Sequence, residues 1–235
     1  VIWRISLFLW LVAMVPASAA TCDRVKFDGN RYTVCTIDMT ASNVRLFLRN
    51  EDGVPYAQFA ALPDGVQIAM NAGMYHDDRR PVGHYIEDGE TEMRVITNAG
   101  PGNFGLLPNG VLCLNETTAQ VIETLRYVRE APTCTHATQS GPMLVIDGDL
   151  HPQFLIDSTS RKRRNGVGTS ADGQTLYWAI TDNAVTFHEF GRLFRDHLSV
   201  PQALFLDGSI SRLYDPANGR NDAGAAMGPI IAVVE

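Results

Sequence analysis

The chain has 235 residues, 45% of them hydrophobic and 9% aromatic, with a formal net charge of -7. A chain of this size can bury a large core without needing metals, and its composition is that of a folded protein rather than a disordered one. The acidic balance argues against a general nucleic-acid binder.

The N-terminus reads as an export signal. Arg4 is followed by an apolar run from Leu7 to Val15, then Pro16 and the small residues Ala17-Ser18-Ala19-Ala20. A short positive end, a short apolar centre and an A-x-A site are the parts of a secretory signal peptide. The run is shorter than the roughly 17–25 residues a spanning helix needs. The expectation is a signal peptide over 1–19 and a single domain over 20–235, periplasmic or secreted and not membrane-spanning. The four cysteines, Cys22, Cys35, Cys113 and Cys134, then suggest two disulfides. Three pairings exist; Cys22–Cys35 with Cys113–Cys134 closes the shortest loops and is preferred.

Down the chain, Arg31–Asp38 and Asn43–Leu48 read as strands with a polar hairpin link between them. Pro55–Leu62 fits a strand or a short helix, and Val66–Met70 a buried strand. Tyr85–Asp88 follows as a strand, then the pair Val111–Leu114 and Gln120–Glu123. Thr124 is placed to cap a short helix over Leu125–Arg129. Met143–Ile146 reads as a strand, and Asn165–Thr169 with Leu176–Thr181 as a hairpin around Asp172-Gly173. The clearest helix is Phe187–His197, where Thr186 and Glu189 have the spacing of a capping box and Phe187, Phe190, Leu193 and Phe194 recur at helical period. Ala203–Leu206 and Pro229–Val234 close the series. Many strands with few helices predict a mixed, strand-rich α+β domain. No Walker or G-x-G-x-x-G loop supports a nucleotide fold.

Four segments run from an apolar strand into small and polar residues: 68–75, 137–145, 163–168 and 205–211. Glycine there permits close backbone approach, and strand-end loops are common functional positions. Their motifs are Asn71-Ala72-Gly73-Met74-Tyr75, Thr138-Gln139-Ser140-Gly141-Pro142, Arg164 before Gly166-Val167-Gly168, and Leu206-Asp207-Gly208-Ser209, with Arg80-Pro81-Val82-Gly83 between the first two. The ordered set, spread over residues 31–234, resembles the phosphodiester glycosidase domain family. That family includes the lysosomal enzyme that removes N-acetylglucosamine from a phosphodiester on mannose-type glycans, together with exported bacterial relatives. This chain departs from the lysosomal form in having Ala72 where some relatives have Gly, and Ser209-Ile210-Ser211 after Gly208 in place of a glycine-richer loop.

The resemblance implies cleavage of a sugar C1–O bond to a phosphodiester oxygen, in a phosphate-linked glycan or sugar-1-phosphodiester. Such chemistry asks for a carboxylate near the anomeric carbon and for cationic and N–H donors at the departing phosphate. Asp207 is the first candidate carboxylate and Asp182 the second. Arg164 is the candidate phosphate clamp. Asn71, Gly73, Gln139, Ser140 and Ser209 are candidate substrate-binding residues. No cofactor is implied. His76, Asp77 and Asp78, with the loop histidines His84 and His136, make a weak metal-ligand set, because adjacent loop residues rarely face one ion, and no metal ligand is expected. Ser140 lacks the G-x-S-x-G setting of a nucleophile. The alternative function is a non-catalytic carbohydrate-binding or envelope-interaction protein.

Overall fold

The computed structural model describes residues 19–207 and 210–235. Most of the signal segment, residues 1–18, and the candidate Ser209 lie outside the described residues. In chain order the first strands are β1 (Ala20–Phe27), β2 (Asn30–Asp38), β3 (Asn43–Phe47), β4 (Val66–Asn71), β5 (Tyr85–Glu87) and β6 (Glu90–Met93). Next come β7 (Gly110–Leu114), β8 (Ala119–Glu123), helix α1 (Thr124–Glu130), β9 (His136–Ser140), β10 (Met143–Ile146) and β11 (Asp149–Leu150). The chain finishes with β12 (Asn165–Thr169), β13 (Thr175–Thr181), helix α2 (Phe187–Arg192), β14 (Gln202–Phe205), β15 (Leu213–Asp215), β16 (Arg220–Asn221) and β17 (Ile230–Val234).

These strands form three sheets. One is seven-stranded in the order β1-β2-β13-β12-β14-β10-β11, and two are five-stranded, β16-β15-β4-β17-β3 and β6-β5-β9-β7-β8. The described pairings are antiparallel. The strand-rich α+β class expected from sequence is the class observed.

All three sheets turn one face to a common core. Ile37, Val167 and Trp178 of the large sheet, Ile68, Met70 and Ile231 of the second, and Leu112 and Val121 of the third belong to one buried cluster. The outer face of the large sheet is closed by α2, whose Phe190, with Leu193 and Phe194 just beyond it, packs on Tyr32, Val34 and Ala179. The Thr186–Glu189 capping box is formed in both directions, which satisfies backbone donors that open a helix. Beyond Arg192 the helix loosens into a π turn over Leu193–His197. The aromatic stripe is therefore core, as its period indicated.

Both disulfides have the preferred pairing. Cys22 and Cys35 face each other in register between β1 and β2, and Cys113 joins Cys134.

Three local expectations need correction. The polar link after β2 makes no hairpin, because β2 pairs with β1 and β13 while β3 pairs with β17 in another sheet. The cap of α1 is Glu123, whose carboxylate accepts from the backbone N–H groups of Leu125 and Arg126. Thr124 is instead buried and its hydroxyl donates to the Asn109 side chain. Ala20–Phe27, charged at Asp23, Arg24 and Lys26, shows no strand pattern in sequence; pairing along its full length with β2, with the disulfide across the pair, makes it one.

Candidate active site

Three of the residues singled out by motif, Asn71, Ser140 and Asp207, lie around the segment that follows β14. Asp207 stands two residues past the end of that strand and is 7% exposed. Beneath it lies a layer of buried amides and hydroxyls. Ser140 Oγ donates to the Leu206 carbonyl at 2.5 Å. Leu206 N donates to the Asn165 carbonyl. Asn71 Nδ2 donates to the Ile210 carbonyl at 2.9 Å, and its Oδ1 accepts from Arg212 N at 2.9 Å. Asn165 Nδ2 closes the set by donating to the Asn71 carbonyl at 3.0 Å. Asn71, Ser140 and Asn165 are fully buried. A buried polar atom without a partner costs roughly 1–3 kcal/mol, so these side chains fix the backbone on both sides of Asp207.

Asn71 and Ser140 were expected to touch substrate; the structure makes them the scaffold of the Asp207 loop. Gln139 is corrected in the same way. Its Oε1 accepts from the backbone of His84 and Ile96, and its Nε2 donates to the Ile96 carbonyl and to Thr124 Oγ1. Gly73 permits a close crossing: a Cβ there would collide with Thr138 Oγ1 and the Gln139 carbonyl. The crossing delivers Tyr75, whose hydroxyl donates to the Ala226 carbonyl at 3.0 Å. Burial, and then the Asp207 charge, push the Tyr75 phenol up to about 12.

Arg164 is also corrected. It is 2% exposed. Nε donates to the Val185 carbonyl at 3.0 Å and Nη2 to the Ser160 carbonyl at 3.1 Å. Its guanidinium carbon lies 3.7 Å from the centre of the Phe187 ring. Burial lowers it to about 10, so it stays charged at neutral pH. Arg164 lines neither of the clefts described below; it clamps the loop before β12 onto α2.

The cations that do reach a cleft are its neighbours. Lys162, Arg163, Ile210, Ser211 and Arg212, with residues 223–225, line a cleft of about 470 Å³, and none of these described residues is a carboxylate. Ile210 connects it to the carboxylate, since Ile210 N donates to Asp207 Oδ1 at 3.4 Å. Arg212 is held by the carbonyls of Asp222 and Ala225 and lies over Phe59. Sequence reasoning missed Arg212, and it chose Arg164 over Arg163 within a basic run that offers an anion site through one or two of its arginines. Arg161, Lys162 and Arg163 are exposed, and Arg164, the last residue before β12, is the one turned inward, held by the Val185 and Ser160 carbonyls and the Phe187 ring.

A larger cleft of about 740 Å³ adjoins the first, and Arg163 lines both. Asp182 lines this larger cleft. Arg220 donates to it at 3.1 Å and to Asp222 at 2.9 Å, and Thr33 Oγ1 also reaches Asp182. The second candidate carboxylate is thus held in an Asp182–Arg220–Asp222 bridge. His84 and His136 are buried with partners of their own, Met93 O and Tyr127 for the first, Asp88 for the second.

The fold is thus a strand-rich three-sheet domain with a buried carboxylate at a strand end and, beside it, a cleft whose described lining is basic and free of carboxylates. The chain belongs to the phosphodiester glycosidase family, whose sequence model matches residues 64–231. It is 30% identical over 211 residues to the uncharacterized protein YigE of Escherichia coli, covering 86% of this chain and 82% of that one. The fold is similar to the catalytic domain of zebrafish N-acetylglucosamine-1-phosphodiester alpha-N-acetylglucosaminidase in a form auto-inhibited by its pro-peptide. There the TM-score is 0.62 at 13% identity, over 95% of this chain and 85% of that chain. A candidate exported protein of Burkholderia pseudomallei shares the fold with a TM-score of 0.58 at 11% identity, over 88% of this chain and 74% of its own.

Proposed function

We propose that the protein is an exported hydrolase that cleaves the glycosidic C1–O bond of a sugar-1-phosphodiester. The observation that carries the reading is the contact between unlike electrostatic environments: Asp207 is linked through Ile210 to a cleft lined by Lys162, Arg163 and Arg212. An oxocarbenium-like transition state develops positive charge at C1 while negative charge grows on the departing phosphate. Asp207 stabilises or attacks the anomeric carbon, and the cleft receives the phosphate. Arg163 takes the clamp role, because it is an exposed residue lining the cleft, its Nε donating to the Thr181 carbonyl at 3.2 Å, while the guanidinium of Arg164 is stacked inside. A phosphomonoester with a second pKa of about 6 leaves readily. A strong general acid is therefore less needed than for a sugar alkoxide, which suits an Asp182 already bound by Arg220. Two disulfides suit an oxidising compartment. Among the described residues no helix is long and apolar enough to cross a membrane.

The test is turnover of a panel of sugar-1-phosphodiesters by purified protein beside Asp207→Asn. The expected result is release of free sugar and a phosphomonoester, with kcat lowered on the order of 10³-fold in the variant. Sugar binding without release of either product by the wild-type protein would replace the hydrolase reading with the carbohydrate-binding one. Equal turnover by the two proteins would remove Asp207 from the reaction.

A further inference from the structure

The protein carries 26 acidic residues against 19 Lys and Arg, yet part of its positive charge is segregated. Strand alternation sorts β1 into two faces. Val25 and Phe27 pack into the layer beneath α2, so Arg24 and Lys26 project from the other face. Register opposes Arg24 to Thr33 and Lys26 to Arg31, and opposed residues share a face. That face is the wall of the larger cleft, where Thr33 Oγ1 accepts from Arg220 at 2.7 Å. Arg24, Arg31 and Arg163 line this cleft, and Arg163 with Lys162 continues into the smaller one.

Lys26, Arg31, Arg24, Arg163 and Lys162 are all exposed. Among the described residues none of the five joins an ion pair. The acids nearby are otherwise disposed. Asp182 and Asp222 share Arg220. Asp215 is buried and accepts from Asn218 at 2.7 Å. Asp23, at the cleft's edge, belongs by alternation to the Val25 side of β1. Arg163 does donate through Nε to the Thr181 carbonyl at 3.2 Å, but a row of like charges without ion-pair partners is self-repelling until a ligand of opposite sign lies along it.

We propose that the substrate is a polymer with repeated phosphodiester linkages, one of them seated in the smaller cleft beside Asp207 and its neighbours lying along the track Arg163–Arg31–Arg24–Lys26. This rests on the hydrolase reading and extends it from an isolated diester to a phosphate-linked glycan chain. Nucleic acid has the same backbone charge but needs stacking platforms for its bases, and among the described residues no aromatic side chain lines either cleft.

The experiment measures binding of long-chain inorganic polyphosphate, pyrophosphate and a single-stranded DNA oligonucleotide across a salt series. It uses the wild-type protein and the Arg24→Ala/Lys26→Ala/Arg31→Ala triple variant, whose changes are exposed and lie outside the proposed reaction centre. Polyphosphate is expected to bind at least about tenfold more tightly than pyrophosphate. The triple variant should lose about tenfold for polyphosphate and flatten its log–log salt slope by roughly 2, each phosphate contact contributing about 0.7–0.9. Pyrophosphate affinity should stay within about twofold, because its site is the smaller cleft. Should the triple variant misfold by circular dichroism, Lys26→Ala and Arg31→Ala singly carry the test. Polyphosphate no tighter than pyrophosphate, or unaffected by the variants, overturns the proposal. So does DNA bound as tightly as polyphosphate, which would make the track a nucleic-acid surface. No step reads turnover, so short diesters hydrolysed without a polyanion track would sink this inference alone. A polyanion track without hydrolysis would sink only the proposed activity.

Discussion

The buried layer under Asp207 and the basic rim beside it use polar residues in opposite ways. Beneath the loop, Asn71, Ser140 and Asn165 give their hydrogen-bonding groups to backbone carbonyls and amides and see almost no water. At the rim, Lys162 and Arg163 are exposed and have no carboxylate partner among the described residues. The first arrangement rigidifies a loop; the second leaves charge available for a ligand. Adjacent arginines show the contrast in miniature. Arg163 faces the clefts, while Arg164 is stacked on Phe187 and donates to two backbone carbonyls. Position in the motif therefore does not by itself separate a ligand-binding residue from a structural one.

The comparison makes its largest demand at Arg164. Arg164→Ala should lower stability by about 3 kcal/mol, from orphaned carbonyls, a lost buried cation–ring contact and a cavity. Denaturant unfolding checks this. Unaltered stability with abolished turnover would reverse the assignment of the two arginines. Next, Asn71→Ala should cost about 2 kcal/mol, since it strands the Ile210 carbonyl and the Arg212 N–H. It should also slow turnover by loosening the Asp207 loop, which unfolding curves and kcat together would report. A smaller effect is expected at the rim. Arg163→Ala should leave stability within about 0.5 kcal/mol and raise KM roughly tenfold, about 1.4 kcal/mol of phosphate binding. A loss confined to stability would move the phosphate elsewhere.

The mildest expectation concerns pH. Burial holds the His84, His136 and His151 imidazoles below their ordinary 6.5, with the Asp88 charge opposing it at His136. As pH falls through 6.5 the unfolded chain binds more protons than the native one, so this stability is present above 6.5 and is lost on acidification. Glu87 acts in the reverse sense at lower pH, because burial raises it above 4.5; its protonation on acidification relieves a burial cost. Denaturation midpoints from neutral to mildly acid pH should therefore fall first. A flat profile would mean that these histidines are solvated in the native state.

Much of this was legible in the chain. The hairpin β12–β13, the capped helix at Thr186, the short-loop disulfides and the ordered motifs are local patterns, fixed by alternation, capping chemistry and the spacing of cysteines. Asp207 at a strand end is read from an apolar run that stops in small residues. What the pattern cannot hold is partner identity over long separations. Asn71 meets Ile210 and Arg212 across 139 and 141 positions, and Ser140 meets Leu206 across 66. Both residue types bind sugars as readily as backbone, and only the sheet packing shows which they meet here.

By itself, then, the sequence determined the family, the strand-rich class, the cysteine pairing that loop closure favours and the carboxylate most in need of an explanation, because these depend on short-range pattern and on motif order. The tertiary structure decided that Asn71, Gln139 and Ser140 are scaffold, that Arg164 is buried and Arg163 exposed, and that Asp182 belongs to a bridge with Arg220. The physical reason is that a polar side chain acts through whatever lies within hydrogen-bonding distance, and which groups lie there is set by the register and packing of strands far apart in the chain.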